Sequence, residues 1–292
     1  MRARSILATV AVLALATVGP STHAQSDLPN DTESALTRIA NYVRDYYSRA
    51  QSLVGTETVR VQPIAQNFGL DGFSRAFVNE LRIEWTPRED GAPAMATMLR
   101  KLLKANGRVP KPDDTPRCMD PQSEAVEPLS MFLPEFRDEY QFTWKGISQE
   151  KEGRLMILEF REVPAGPPVS EWKEVKSEDC VTVSLPGAHR GRIWAYPDTG
   201  AVLRIDMHLN GPVDVRVPRH KEREVGTYFT VDRSDYSIKY RTVRFSDPDE
   251  TLLLPATIDQ VRTFRNALTS SRTSAVYSDY RRFITGGRIV QQ

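Results

Sequence analysis

The chain has 292 residues, 39 Lys and Arg against 38 Asp and Glu, a formal net charge of +1, and hydrophobic side chains at 40% of positions. That near-balance lacks the electrostatic footprint of nucleic-acid binding, so no nucleic-acid partner is expected, and it argues equally against a polybasic membrane-surface role. The length suffices for one large core.

In chain order the first feature is residues 1–24. Arg2 and Arg4 make a basic start, and Ser5 to Gly19 form an apolar stretch around Ile6, Leu7, Val10, Val12, Leu13 and Leu15. Thr22 and Ala24 then place small residues where a secretory peptidase reads them. The apolar run is shorter than the roughly twenty residues of a membrane span. The pattern predicts a signal peptide cut after Ala24, a mature chain 25–292 without a transmembrane segment, and a periplasmic or secreted location. Export removes cytosolic partners from consideration, and no cofactor is expected.

Residues 25–31 read as a polar linker. Asp31 and Ser34 open an amphipathic helix carrying Leu36, Ile39, Ala40, Val43, Tyr46, Tyr47, Ala50 and Leu53 on one face, with Gly55 as its stop. Two β-rich runs follow, Thr56 to Ala65 and Phe73 to Trp85. A second helix is predicted over Ala94 to Ala105, ended by Asn106 and Gly107. Residues 107–121 hold four prolines and Cys118, which predicts a pinned loop. Ser123, with Glu124 and Glu127, would cap a third helix bearing Leu129, Met131, Phe132, Leu133 and Phe136, its regularity limited by Pro128 and Pro134.

From Tyr140 onward almost everything reads as strand and turn. The clearest unit is the hairpin Gly191 to Leu209. Pro197 pre-sets a turn, Gly200 supplies a positive φ, and Leu203, Ile205, Met207 and Leu209 alternate with Arg204, Asp206 and His208. Similar runs lie at Tyr140 to Lys145, Leu155 to Glu162, Trp172 to Leu185, Tyr228 to Asp232, Ile238 to Phe245, Leu254 to Phe264 and Thr273 to Ile284. Together these make about eleven strands, which implies one large antiparallel sheet that curls or closes to protect its edges. In an exported chain the pair Cys118 and Cys180 predicts a disulfide closing a loop of about 60 residues and contributing about 4 kcal/mol.

Signatures of chemistry are sparse. His189, His208 and His220 show no metal-binding spacing, and no metal site is expected. No G-x-S-x-G or S-x-x-K motif is present, and acid pairs such as Asp113 with Asp114 or Asp247 with Asp249 sit beside prolines as turn formers. No catalytic residue is nominated, and an enzyme is not expected. Arg281, Arg282 and Arg288, with the row Arg241, Arg244, Arg262 and Arg265, either frame a site for an acidic head group or keep a sheet's wet face soluble.

The stretch GRIWAYPDTG from Gly191 to Gly200, followed by Val202, Leu203 and Arg204, resembles the turn pattern G-x-x-W-x-D-P-x-T-G of LolA-like proteins, with Ala195 and Tyr196 where that pattern puts an acid before proline. Tyr277 to Phe283 resembles exported bacterial proteins of the same general type. The resemblance implies an α+β fold in which a single domain over 25–292, with a helical insertion around 93–137, forms an open half-barrel with helices over its concave face. It also implies periplasmic carriers of lipoproteins or lipids. On that reading Ile39, Val43, Tyr46 and Tyr47, with Phe132, Leu133 and Phe136, lie above a concave face lined by Leu203, Ile205 and Met207, and together bind a lipid, acyl chain or lipidated segment. One alternative is a protein-interaction or sensor module of the periplasm that has no lipid ligand and binds an envelope protein through its sheet edge or helix lid, and the other is a hydrolase, for which the sequence shows no catalytic constellation.

Overall fold

The computed structural model describes residues 28–50, 53–86, 95–111, 118–121, 124–126, 128–175, 178–246, 249–266 and 268–282. The predicted signal peptide and Arg288 lie outside the described residues.

Helix α1 (Thr32–Ala50) is followed by strands β1 (Leu53–Ile64), β2 (Arg75–Thr86), β3 (Met95–Ala105) and β4 (Glu124–Val126). Two 3-10 turns, Pro128–Phe132 and Pro134–Glu139, lead into β5 (Tyr140–Glu150) and β6 (Gly153–Glu162). Next come β7 (Val169–Val175), β8 (Glu178–Ser184), β9 (His189–Ala195), β10 (Val202–Leu209) and β11 (Val213–Arg216). One helical turn, α2 (Glu222–Val225), precedes the long strands β12 (Tyr228–Ser246), β13 (Asp249–Arg265) and β14 (Ser270–Arg282).

The main sheet runs in the order β4-β3-β2-β1-β14-β13-β12-β10-β9-β6-β5, with β11 beside β12 and β7–β8 as a separate hairpin. All pairings are antiparallel, and the sheet stays open, so it is a curled half-barrel rather than a closed one. A bulge at Asp232 lets the 19-residue β12 bend with the curl, and a bulge at Ala256 does the same for β13. Among the described residues no helix is long and apolar enough to cross a membrane.

Helix α1 begins as its sequence requires. The Asp31 carboxylate accepts the Ser34 N–H at 2.8 Å, and the Ser34 hydroxyl donates back to the Asp31 carbonyl at 3.2 Å. The Ser34 N–H first, and then the Ser34 side chain, stabilise the ionised Asp31 carboxylate and hold it below its ordinary range. The helix ends at Ala50, earlier than its apolar periodicity suggests, because Leu53 and Gly55 belong to β1.

Two expected helices are replaced. Ala94 to Ala105 is largely strand β3, paired along β2 from Met95 opposite Thr86 to Ala105 opposite Phe77. Its 3.6-residue pattern is overridden because alternation puts Met98 in the core and brings Arg100 to a buried acid. The third helix is broken by Pro128 and Pro134 into the two 3-10 turns, and Glu124–Val126 pairs with β3. The described residues within 93–137 are therefore strand, loop and 3-10 turn. The run Trp172 to Leu185, expected as one strand, falls within the hairpin β7–β8.

Register explains the core. On the face that α1 covers, Trp144, Leu158, Ile193, Ile205 and Ile238 stand side by side on consecutive strands. The row continues through Ile258, Ala275, Val59 and Phe77. A smaller apolar cluster of Leu209, Val215, Val217, Phe229 and Val231 lies beyond it, with Trp172, Val181 and Val183 of the β7–β8 hairpin packed on top.

Candidate functional site

The covered face of the sheet holds the candidate site. Helix α1 is buried along Ala35, Leu36, Ile39, Ala40, Val43, Tyr46, Tyr47 and Ala50, so its whole apolar stripe is spent on the sheet and the 3-10 turns. Polar contacts fasten its two ends. At the start, the Thr32 hydroxyl accepts the Trp144 N–H at 3.0 Å, Arg137 pairs with the exposed Glu33 at 3.2 Å, and Arg38 donates to the Pro197 carbonyl at 2.9 Å. At the other end Arg282 pairs with Glu250 and donates to the Arg49 carbonyl at 3.3 Å, while Arg49 lies 3.8 Å from Glu250. The Arg137–Glu33 pair, with Glu33 exposed, contributes little, typically about 0–1 kcal/mol, whereas Arg282 and Glu250 are both largely shielded from water.

The structure brings nearly all the sequence-nominated residues together. Ile39, Val43, Tyr46, Tyr47, Phe132, Leu133 and Ile205 are buried in one cluster, with Phe136 and Met207 packed at its margin. Leu203 stands apart from that cluster. A bulge between Val202 and Arg204 shifts the strand there and buries Val202 instead. Tyr140, Phe142 and Phe160 add an aromatic group beside Phe132, with ring centroids 5.9 to 6.4 Å apart. Burial first, then the charges of Glu162 and Glu139, pushes the Tyr140 hydroxyl up to about 12.

Sequence reasoning missed the polar centre of the same face. Glu57, 1% exposed, accepts hydrogen bonds from Arg100 at 2.8 Å, Asn79 at 2.8 Å and Tyr277 at 2.9 Å. The four residues come from β1, β3, β2 and β14. Burial works to lower the Arg100 guanidinium, but its hydrogen bonds and the charge of Glu57 prevail and raise it. Burial, then the Glu57 charge, pushes the Tyr277 hydroxyl well above its ordinary value. The available signal was parity: Glu57 shares its face with Val59 and Val61, where an acid is out of place unless partnered.

The arginines proposed to frame a head-group site do not converge. Arg244 pairs with Asp249 and Arg265 with Asp232, both near the surface, and Arg282 belongs to the end of α1. Arg262 alone of that row faces inward, opposite Ser234 and Ser271.

The opposite face carries charge instead. A cleft of about 650 Å³ is lined by Thr143, Glu159, Arg161, Arg190, Arg192, Trp194 and His208. Its charges are largely matched within the protein. Arg192 bonds Glu159 at 2.6 Å, Arg204 bonds Asp206 at 2.8 Å and sits 4.8 Å over the Trp194 ring, and Arg190 donates to His208 at 3.0 Å. His208 is thus a solvent-facing strand residue. Among the described residues no group of three His, Cys, Asp or Glu is placed to hold a metal ion.

Cys118 and Cys180 form a disulfide. It fastens β8 to the loop that carries Asp120, and Asp120 in turn pairs with Arg75 of β2. The β7–β8 hairpin is thereby strapped down as a second cover, at the other end of the face from α1.

No protein-family model matches the chain, and no curated protein matches it. Among solved structures it is similar to a DUF1329 family protein from Desulfovibrio piger, with 12% identity and a TM-score of 0.41, covering 89% of this chain and 95% of that one. It is also similar to a LolA superfamily protein from Nitrosomonas europaea, with 9% identity and a TM-score of 0.34, covering 88% of this chain and 97% of that one.

Proposed function

We propose that residues 25–292 act as one exported binding domain that carries or senses a lipid, an acyl chain or a lipidated segment in the periplasm or outside the cell, without covalent chemistry. The observation that supports this reading is the apolar row crossing nine strands from Trp144 to Phe77, covered by a helix whose polar fastenings lie at its ends. In the closed state the side chains of Ile39, Val43, Tyr46 and Tyr47 occupy that surface. Uptake displaces α1 and lets the ligand's methylenes replace its side chains. Each buried methylene contributes about 0.8 kcal/mol, so a long chain offsets both the lost helix contacts and the cost of ordering. Native mass spectrometry of protein purified from bacterial envelopes without detergent tests this. A stoichiometric adduct that extracts into solvent as a lipid is the expected result, and a clean apo mass that persists after incubation with envelope lipids contradicts it.

A second reading, docking of an envelope protein, is favoured by the loop between β1 and β2. Phe68, Leu70 and Phe73 are exposed there by 54, 79 and 96%, and Phe68 is held at φ +63°. An exposed aromatic in a costly backbone conformation contributes nothing to the core. If the mass spectrum is clean, loss of partner capture in Phe73→Asp becomes the discriminating observation.

A further inference from the structure

Three features stand outside the site as used so far: the convex cleft around His208, the exposed β1–β2 loop, and Arg262. The cleft's charges are largely matched by their neighbours, and the loop belongs to the second reading above. Arg262 is different.

Arg262 lies on the covered face of β13 and is mostly shielded from water. Register sets it between Ser234 of β12 and Ser271 of β14. Two residues back on the same face, Gln260 stands between Tyr236 and Thr273. This makes a belt of hydroxyl and amide groups with one cation at its centre. On one side of the belt runs the apolar row through Ile238, Ile258 and Ala275. On the other lie Phe229, Val231 and Phe264, the edge of the cluster under the β7–β8 hairpin.

Among the described residues Arg262 has no ion pair and no hydrogen bond. Burial by itself pulls its pKa downward, with no carboxylate acting against that pull. A guanidinium nonetheless stays charged at physiological pH. A cation shielded from water without a counter-charge is costly, and an anion from outside would offset that cost with bidentate, charge-assisted hydrogen bonds.

We propose that Arg262 and the belt around it bind the anionic head, carboxylate or phosphate, of an amphiphile whose chain lies along the apolar row toward α1. This rests on the carrier reading and adds the head-group class to it. Arg262 grips the head, Ser234, Ser271 and Thr273 donate the remaining hydrogen bonds, and the strapped β7–β8 hairpin closes the far end. The preferred ligand is an anionic lipid over a neutral one of equal chain length.

The test measures binding of dodecanoate, dodecyl phosphate, dodecanol and inorganic phosphate to the full chain and to the variants Arg262→Gln and Arg262→Lys. Circular dichroism and unfolding curves confirm that each variant folds. The wild type is expected to bind both anionic amphiphiles at least about tenfold tighter than dodecanol. In Arg262→Gln that preference disappears while dodecanol binding stays, and Arg262→Lys keeps part of it. An unchanged preference in Arg262→Gln overturns the head-group site and leaves the carrier reading standing. Binding of inorganic phosphate alone, lost in Arg262→Gln, supports the anion site and overturns the carrier. A wild type that binds none of the four overturns both.

Discussion

Gly200 and Arg38 touch backbone to backbone. A β-carbon on Gly200 would run into the Arg38 carbonyl and stand 2.9 Å from the Ile39 nitrogen. Arg38 also donates to the Pro197 carbonyl at the head of the same turn. The hairpin motif most legible in the sequence is therefore the seat on which α1 rests, and Gly200, at φ +78°, meets both demands at once.

Gly200→Ala should cost distinctly more than Gly107→Ala. Gly107 has φ +79° and open space around it, so its substitution carries backbone strain alone, about 1 kcal/mol. At Gly200 the clash with α1 adds to that strain, for a total of about 3 kcal/mol. Urea unfolding of the two variants checks the difference. Equal losses would mean that the hairpin does not seat the helix.

Glu57→Ala should destabilise by about 3–5 kcal/mol, because it strands the shielded Arg100 charge and leaves Asn79 and Tyr277 without their acceptor. Tyr277→Phe removes one bond and should cost about 1 kcal/mol. Replacing both charges, Glu57→Leu with Arg100→Met, should recover most of the loss. A double variant as unstable as Glu57→Ala would show that the network does more than satisfy itself.

These two cases mark what was readable in the chain. Helix α1 and the Gly191–Leu209 hairpin were legible because local signals and tertiary demands agree there: a capped amphipathic stripe, and a proline and glycine at the turn. Met95 to Ala105 was not, because its residues suit a helix in isolation and become a strand only beside β2 and Glu57. The inward-facing polar residues were illegible for a related reason. Glu57, Arg100, Asn79 and Tyr277 lie on four strands far apart in sequence, and only register joins them. The same holds for Arg262, which resembled its neighbours Arg244 and Arg265 until the pairing of β13 with β12 and β14 set its face.

Stability should fall at high pH. Folding holds the Tyr140 phenol neutral up to about 12, and Tyr277 is raised in the same direction. Unfolded tyrosine releases its proton near pH 10. Stability due to the raised pKa is therefore complete below about pH 10 and is lost as pH climbs toward 12. For Tyr140 the loss amounts to about 2–3 kcal/mol. Melting temperatures between pH 9 and 12 should drop less steeply in Tyr140→Phe, and parallel curves would contradict the assignment.

Removing the disulfide with Cys118→Ser should cost about 4 kcal/mol, as expected for a cross-link spanning 62 residues. Hydrogen exchange should rise first in β7 and β8, which among the described residues pair as strands only with each other. Faster exchange confined to α1 would show that the strap secures the wrong cover for this account.

The most direct test of the central claim is photolabelling of the full chain with a long-chain fatty acid bearing a terminal diazirine, followed by peptide mapping. Saturable labelling, competed by unlabelled fatty acid, is expected on the strands of the apolar row from Trp144 to Phe77 and in the 3-10 turns Pro128–Phe132 and Pro134–Glu139. Labelling confined to the convex cleft around His208, or none that saturates, would contradict it.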